Sequence, residues 1–478
     1  MTSSSTRSVV VGLALIVIAV ALSVAISSAV PAPGGLYRDL LGQGDEHAAR
    51  LERTAAVAAY QEAVGLRPRE PEAHFRLARL YLDWGRVEEA WETLAQAQQW
   101  GIVGIEVERL WVAVHTARAD WPAVIEHGLR WLSLVSAGEG DDVAVVEARH
   151  VLGRAHVALR DWEAARAEYE AILQVAPADA LARQRLGVLL LGRDPDGVLH
   201  LSVSDSELAR RLLAVFQDPE AAADPVYASA LLGQILVGEG EWELATRYFE
   251  LALSANPNYF EAHAYLGYAL DQMGYTDEAR IHLRRAIELA PGSAMAHTFL
   301  GLHYERWGDV AAARAEYEIA YDLDPSNPAI CLEIGQAWAA EREYVAAEIW
   351  LREAISLRPD DPRLWEVLVR FYLEHNLVGD ERIADALTRL IELSPSDARV
   401  DDLRGWAALQ QGDYEMAEEH LQRAISRDPT LASAQYHLGL LWNAREVYQK
   451  AEEAFIRALD LDTTGELGPL IAYVRRTG

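Results

Sequence analysis

Lys450 and Cys331 are the only lysine and the only cysteine of this chain, and that scarcity closes off several chemistries at once. A phosphate-cradling GxxxxGK(S/T) loop needs its lysine, but Lys450 sits in Gln449-Lys450-Ala451 with no glycine loop before it. A Schiff-base role for it has no more support. One cysteine builds neither a multi-cysteine zinc site nor an internal disulfide, and no HExxH, CxxC or GxSxG occurs. His297 and His303 are too far out of phase to share a helix face, while His74, His263 and His297 recur at one register position, which reads as packing. Acids and bases interleave, as in Arg284-Arg285 before Glu288 or Glu418-Glu419 before Arg423, so solvated i, i+4 faces explain them and no carboxylate pair stands out. No catalytic residue, metal ligand or cofactor is expected.

The elements carrying these residues are set by a 34-residue period. Gly233, Gly267, Gly301 and Gly335 keep it, as do Ala245, Ala279, Ala313 and Ala347, then Ala252, Ala286, Ala320 and Ala354, then Pro257, Pro291, Pro325 and Pro359. Within a repeat counted from Phe260, large apolar groups favour positions 4, 7, 11 and 24, and small ones positions 8, 20 and 27. Positions 4, 7, 8 and 11 share one helical face and 20, 24 and 27 another, so each repeat reads as a hairpin of helices A and B. A glycine inside a helix costs about 0.5 to 1 kcal/mol relative to alanine, so its recurrence at position 8 calls for close approach of the two helices. Gly240, Gly274, Gly308 and Gly412 mark the turns, and proline at position 32 blocks continuation of helix B. Such a period predicts stacked hairpins whose working parts are surfaces.

On these residues the chain resembles the tetratricopeptide repeat family, whose pattern has a large residue at 4, Leu-Gly at 7 and 8, Tyr at 11, Ala at 20, Phe or Tyr at 24, Ala at 27 and Pro at 32. The segment Ala432 to Gly465 carries Leu438-Gly439, Trp442, Ala451, Phe455 and Ala458. The best repeats start at Val226, Phe260, Ala294, Pro328, Pro362, Ala398 and Ala432, earlier ones at Pro71, Val146 and Ala180, and weaker ones near Tyr37 and Ile105. The resemblance implies an all-α fold, a right-handed superhelical α-solenoid of helix-turn-helix hairpins. The Pro362 repeat departs from it, with Val369 in place of Gly and a longer turn expected over Asn376 to Glu381. The Ala180 repeat reaches Val226 only after 46 residues, the surplus falling in Gly192 to Val203. The expected organisation is a 1–30 anchor, a 31–191 repeat block, an irregular 192–225 insertion with a helix, a 226–465 block of seven repeats, and a 466–478 capping helix and tail.

From Val9 to Val30 the chain is almost wholly apolar and uncharged. As a helix these residues would span about 33 Å, against roughly 30 Å of bilayer hydrocarbon. The expectation is an uncleaved single-pass cell-membrane anchor over 9–30, a cleaved signal peptide being the rival. The short tail with Arg7 places the repeats outside the cytoplasm, the cytoplasm being the alternative. The formal charge of −30 would repel nucleic acid phosphates and anionic lipid faces and favours a protein or peptide partner with a basic patch, although it also keeps a repeat protein dispersed.

In the resembling family a concave groove is lined mainly by helix A positions 2, 5, 9, 12 and 13. Carried onto this chain, the resemblance implies a groove of Tyr227, Gln234, Glu261, Tyr268, Asp271, Glu305, Arg306, Arg363, Glu366, Arg370, Trp406, Tyr436 and Asn443, with Gln336, Arg399 and Asp402 at equivalent positions. Aromatics and arginine are the residue types most often found as interface hot spots. The lysine clamp for chaperone C-termini is absent, and the asparagine ladder of glycosyl-transferring relatives is replaced by Leu231, Tyr265, Phe299, Glu333 and Val367. Trp121, Trp162 and Trp242 fall at position 17, the start of helix B, and read as packing. The function expected is a membrane-anchored scaffold holding a partner in its groove. The alternatives are a non-catalytic subunit positioning an envelope glycosyltransferase or polysaccharide enzyme, and a structural spacer.

Overall fold

The computed structural model describes residues 33–139, 142–191, 195–203, 206–377, 381–463 and 465–477. Among them every regular element is a helix and no strand occurs. The chain divides into two compact units, one of residues up to Val114 together with Leu459–Leu470, the other of His115–Ala458 with the residues from Ile471 onward.

Seven successive hairpins occupy the later part of the chain. Their A helices are Pro225–Gly238, Phe260–Gln272, Ala294–Arg306, Pro328–Ala340, Pro362–Glu374, Ala398–Gln411 and Ala432–Ala444. The matching B helices are Trp242–Ala255, Thr276–Leu289, Val310–Leu323, Tyr344–Leu357, Glu381–Leu393, Tyr414–Arg427 and Tyr448–Leu461. Local chemistry starts several of them. Proline opens three A helices, at Pro225, Pro328 and Pro362, where its missing N–H is no loss. Side-chain caps supply acceptors for the first free N–H groups, as Asp397 does for Arg399 at 2.9 Å and Asp309 for Ala312 at 3.1 Å. Between helices the chain passes through a left-handed residue, glycine at Gly240, Gly274, Gly308 and Gly412 but Arg342, Asn376 and Glu446 in the other hairpins.

The position-8 glycines meet the position-24 side chains of their own hairpins. A Cβ on Gly301 would lie 2.4 Å from the Tyr317 ring, and one on Gly267 2.6 Å from Leu283 and 3.0 Å from the Ala279 carbonyl oxygen. Several hairpins are also tied to the chain just before them. At position 4 the ring N–H of His263 donates to the Pro257 carbonyl at 3.1 Å, His297 to Pro291 at 3.2 Å and Trp365 to Pro359 at 2.8 Å. His74 does the same with Pro68 at 2.9 Å. The packing expected of these histidines thus includes a directional bond.

Between Ala180–Leu190 and Pro225–Gly238 the chain forms the short helices Pro195–Ser202, Glu207–Val215 and Pro219–Ala223. Leu201 and Leu212 from them are fully buried in the surrounding core. The carbonyl groups left free at the end of Ala180–Leu190 accept from Arg247, at 2.6 Å to Leu189, and from Tyr248, to Val188.

In the first unit, helices Pro33–Ala49, Arg53–Leu66, Pro71–Asp83 and Val87–Gln99 bury Tyr37, Tyr60, Leu77, Tyr81 and Leu94. Leu459 packs on this core, and its carbonyl accepts from Trp84 Nε1 at 2.8 Å. The Asp460 carboxylate accepts from the Thr54 N–H at 2.8 Å and from its hydroxyl, and the Asp460 carbonyl accepts from Arg53. Asp462 then caps Leu467–Thr477 through the Leu467 N–H at 2.9 Å.

Two expectations need correction or restriction. The segment expected to cross a membrane, residues 9–30, lies outside the described residues, as do residues 378–380 of the longer turn expected over 376–381. Among the described residues no helix is long and apolar enough to cross a membrane, which overturns the single-pass cell-membrane localisation. The physical reason is length and polarity. The longest, Pro33–Ala49 and Asp142–Ala158, have 17 residues each and carry charges along them. That is about 26 Å of helix, short of roughly 30 Å of hydrocarbon.

Candidate partner-binding face

The residues expected to line a groove all sit on A helices, and the structure sorts them by how far each is already engaged. Asp271 lies inside the wall rather than on it, only 2% exposed. It accepts from His303 Nδ1 at 2.7 Å, Trp307 Nε1 at 3.1 Å and Arg306 Nε at 3.0 Å. Arg306 also donates to Gln272 at 2.6 Å. Both of these expected groove residues thus join one A helix to the next.

Asp402 is built the same way, accepting from Ser433 and from His437 Nδ1 at 2.7 Å each. On that histidine Trp406 lies stacked, ring centres 4.5 Å apart. Trp406 therefore has a rigid backing and a half-buried indole. Tyr436 and Asn443, one A helix later, are half-buried too, with Tyr436 6.2 Å from Phe455.

Aromatic rings connect the earlier hairpins. Tyr268 stacks on Phe299 at 4.6 Å and meets Trp242 edge-on at 5.8 Å, while Tyr265 touches Phe249 at 5.7 Å and Phe299 at 5.3 Å. Tyr265 and Phe299 were absent from the expected lining, although their place at position 6 was legible. Beside this ladder Tyr227, Gln234 and Glu261 are half-buried, and one Glu261 oxygen is buried without a hydrogen-bond partner. Burial first, then the charge of Glu261, pushes the Tyr259 hydroxyl up to about 12.

Glu305 accepts from the Tyr317 hydroxyl at 2.7 Å. Next to it stands Glu333, pushed up to about 7 by burial and then by the Glu305 charge. Burial and the bond to Glu305 likewise raise the Tyr317 hydroxyl far above its ordinary value.

Three successive A helices, with Leu351 of the B helix Tyr344–Leu357, then line an open cavity of about 550 Å³. Gln336 comes from the first, Arg363, Glu366 and Arg370 from the second, and Arg399 from the third. Its apolar part is Ala339, Leu351, Val367 and Phe371, with Glu374 and His375 at the end of the middle helix. His375 is held by stacking on Tyr344, ring centres 4.4 Å apart. Arg399 is anchored on Asp397 at 2.8 Å and reaches Glu366 at 3.4 Å. Elsewhere, no group of three or more His, Cys, Asp or Glu arranged for a metal is found among the described residues. Cys331 is buried and its thiol pushed up to about 11 by burial, then by Glu353, so it is poorly reactive.

Paired helices in a fixed period, with half-buried aromatics and arginines along the A helices, define a helical-repeat protein of the kind that works by surface contact. Two family profiles described as tetratricopeptide repeat match residues 52–101, 150–196, 236–302, 299–362, 375–432 and 403–466. The chain belongs to the tetratricopeptide repeat family. Similar solved structures include the APC/C hetero-tetramer Cut9-Hcn1, at 16% identity and a TM-score of 0.35, over 87% of this chain and 96% of that one. MamA from Desulfovibrio magneticus RS-1 is 21% identical with a TM-score of 0.31, over 35% of this chain and 94% of its own. YrrB, described as a tetratricopeptide repeat protein with an unusual peptide-binding site, is 20% identical with a TM-score of 0.30, over 40% and 97%. No curated protein matches the sequence.

Proposed function

We propose that this chain is a non-catalytic scaffold that holds a partner protein or peptide against its A helices. The residues assigned to contact are Tyr227, Gln234, Glu261, Tyr268, Glu305, Arg363, Glu366, Arg370, Trp406, Tyr436 and Asn443, with Asp271 and Arg306 setting the spacing beneath them. One observation carries this reading: Gln336, Arg363, Glu366, Arg370 and Arg399, from three helices, line a single cavity with an apolar floor. Polar groups converging around apolar surface are what a binding pocket requires.

The test is affinity purification of the tagged full chain beside an Arg370→Ala/Trp406→Ala double variant with an unchanged far-UV spectrum. Stoichiometric partners should be lost from the variant. Recovery of the same partners by both proteins would move the binding surface elsewhere. A captured enzyme in equal amount would assign the chain to positioning a catalytic subunit, and absence of any partner would favour a spacer.

A further inference from the structure

The overall charge of −30 favours basic partners, yet the walls of the 550 Å³ cavity carry three arginines. Their states of engagement differ. Arg399 is committed to Asp397 at 2.8 Å. Arg370 has only Glu374, at 3.4 Å, and Arg363 is exposed, its guanidinium without a hydrogen-bond or ion-pair partner among the described residues. Elsewhere on the A-helix face Arg306 is held by Asp271 and Gln272. Two guanidinium groups in this acidic protein are thus left with unspent donors over apolar surface, where a carboxylate would be held by charge-assisted, paired hydrogen bonds.

We propose that the cavity takes an internal acidic segment of a partner protein, bound extended, with two carboxylate side chains three residues apart on Arg363 and Arg370 and an apolar side chain between them on Val367 and Phe371. The proposal rests on the A-helix face being the binding surface. Spacing supports the register. Arg363 and Arg370 are seven residues apart on one helix, two turns, or about 10 Å along its axis. A polyproline-like segment advances about 9 Å in three residues and returns its side chains to the same side. At 3.6 residues per turn Val367 and Phe371 fall to one flank of the line from Arg363 to Arg370, the flank to which a side chain from between the two acids, turned about 120° from them in a three-residue turn, can lean. Basic side chains at those two places would face like charge.

The test uses the full chain and a fluorescent, end-capped peptide with two glutamates three residues apart and a leucine between them, followed by anisotropy. Saturable binding is expected, weakened about tenfold or more when both glutamates become glutamine or when the protein carries Arg363→Gln/Arg370→Gln, as loss of charge-assisted pairs implies. An Arg370→Glu protein should in turn prefer a peptide with arginine in place of the matching glutamate. Equal binding of the glutamine peptide overturns the proposal. So do a preference for a basic peptide or a single-stranded oligonucleotide, dependence on a free peptide carboxyl end, and no binding at all. If a neutral or basic peptide binds instead and is released by Arg370→Ala/Trp406→Ala, the face stands as the binding surface and only its acidic specificity falls.

Discussion

Gly301→Ala is a small change that the packing forbids. The added Cβ would sit 2.4, 2.5 and 3.0 Å from three atoms of the Tyr317 ring, where ordinary carbon contacts need about 3.5 to 4 Å. The ring has to move by about 1 Å, but it is fully buried and its hydroxyl is bonded to Glu305 at 2.7 Å. Overpacking of this kind costs about 1 to 3 kcal/mol. Breaking the bond to the carboxylate adds about 1.5 to 3 kcal/mol. Alanine's better helix propensity returns about 1 kcal/mol. The net expectation is a loss of about 1.5 to 5 kcal/mol. Urea unfolding followed by circular dichroism measures the total, and amide exchange in Ala294–Arg306 and Val310–Leu323 localises it, which matters because repeat stacks need not unfold in one step. Gly42→Ala is the internal control, a helical glycine with nothing within 4 Å of the added carbon, and should stabilise by up to about 1 kcal/mol. If Gly301→Ala matched Gly42→Ala in sign, close approach would not be the reason for glycine at position 8.

Other perturbations follow from the same packing. Ala119 is exposed and left-handed, φ 54°, so Ala119→Gly should raise stability by up to about 1 kcal/mol in a urea titration, whereas Gly274→Ala, at φ 82°, should lower it by about 1 to 2 kcal/mol. Because Glu333 is pushed up to about 7 from an ordinary 4.5, the folded protein holds that proton longer than the unfolded chain. Its favourable linkage is fully present below pH 4.5 and is lost as pH rises through 7. Glu333→Gln should therefore gain up to about 3 kcal/mol at pH 8 relative to pH 4.5, and identical pH profiles of the two proteins would refute the burial argument. Asp460→Ala removes two bonds to Thr54 and should speed amide exchange at the start of Arg53–Leu66, with a cost of about 1.5 to 3 kcal/mol.

Much of this fold was legible because its determinants are local and repeated. Glycine at position 8 announced a close contact, and the partner proved to be position 24 of the same hairpin. Turns were readable where glycine marks them. At Arg342 and Glu446 no glycine does, since neighbouring hairpins over-determine the bend and an ordinary residue bears the left-handed strain. The candidate face was legible by position and less so by availability. Asp271 carries the same register as an exposed groove residue, yet His303, 32 residues away, and Trp307 draw it inward. No short-range pattern encodes that bond. The three-arginine cavity likewise depends on helices that only the fold brings together.

The bond from position 4 back to the preceding proline carbonyl has a practical corollary. Since His263, His297 and Trp365 each reach six residues upstream, the joint between hairpins and its fastening travel in one contiguous stretch of polypeptide. A cassette cut just ahead of that proline carries its own docking hook, and one cut just after it arrives without the acceptor. Chimeras exchanged at the first boundary should keep their phase, which makes the interval from one proline to the next the natural unit for rebuilding this protein.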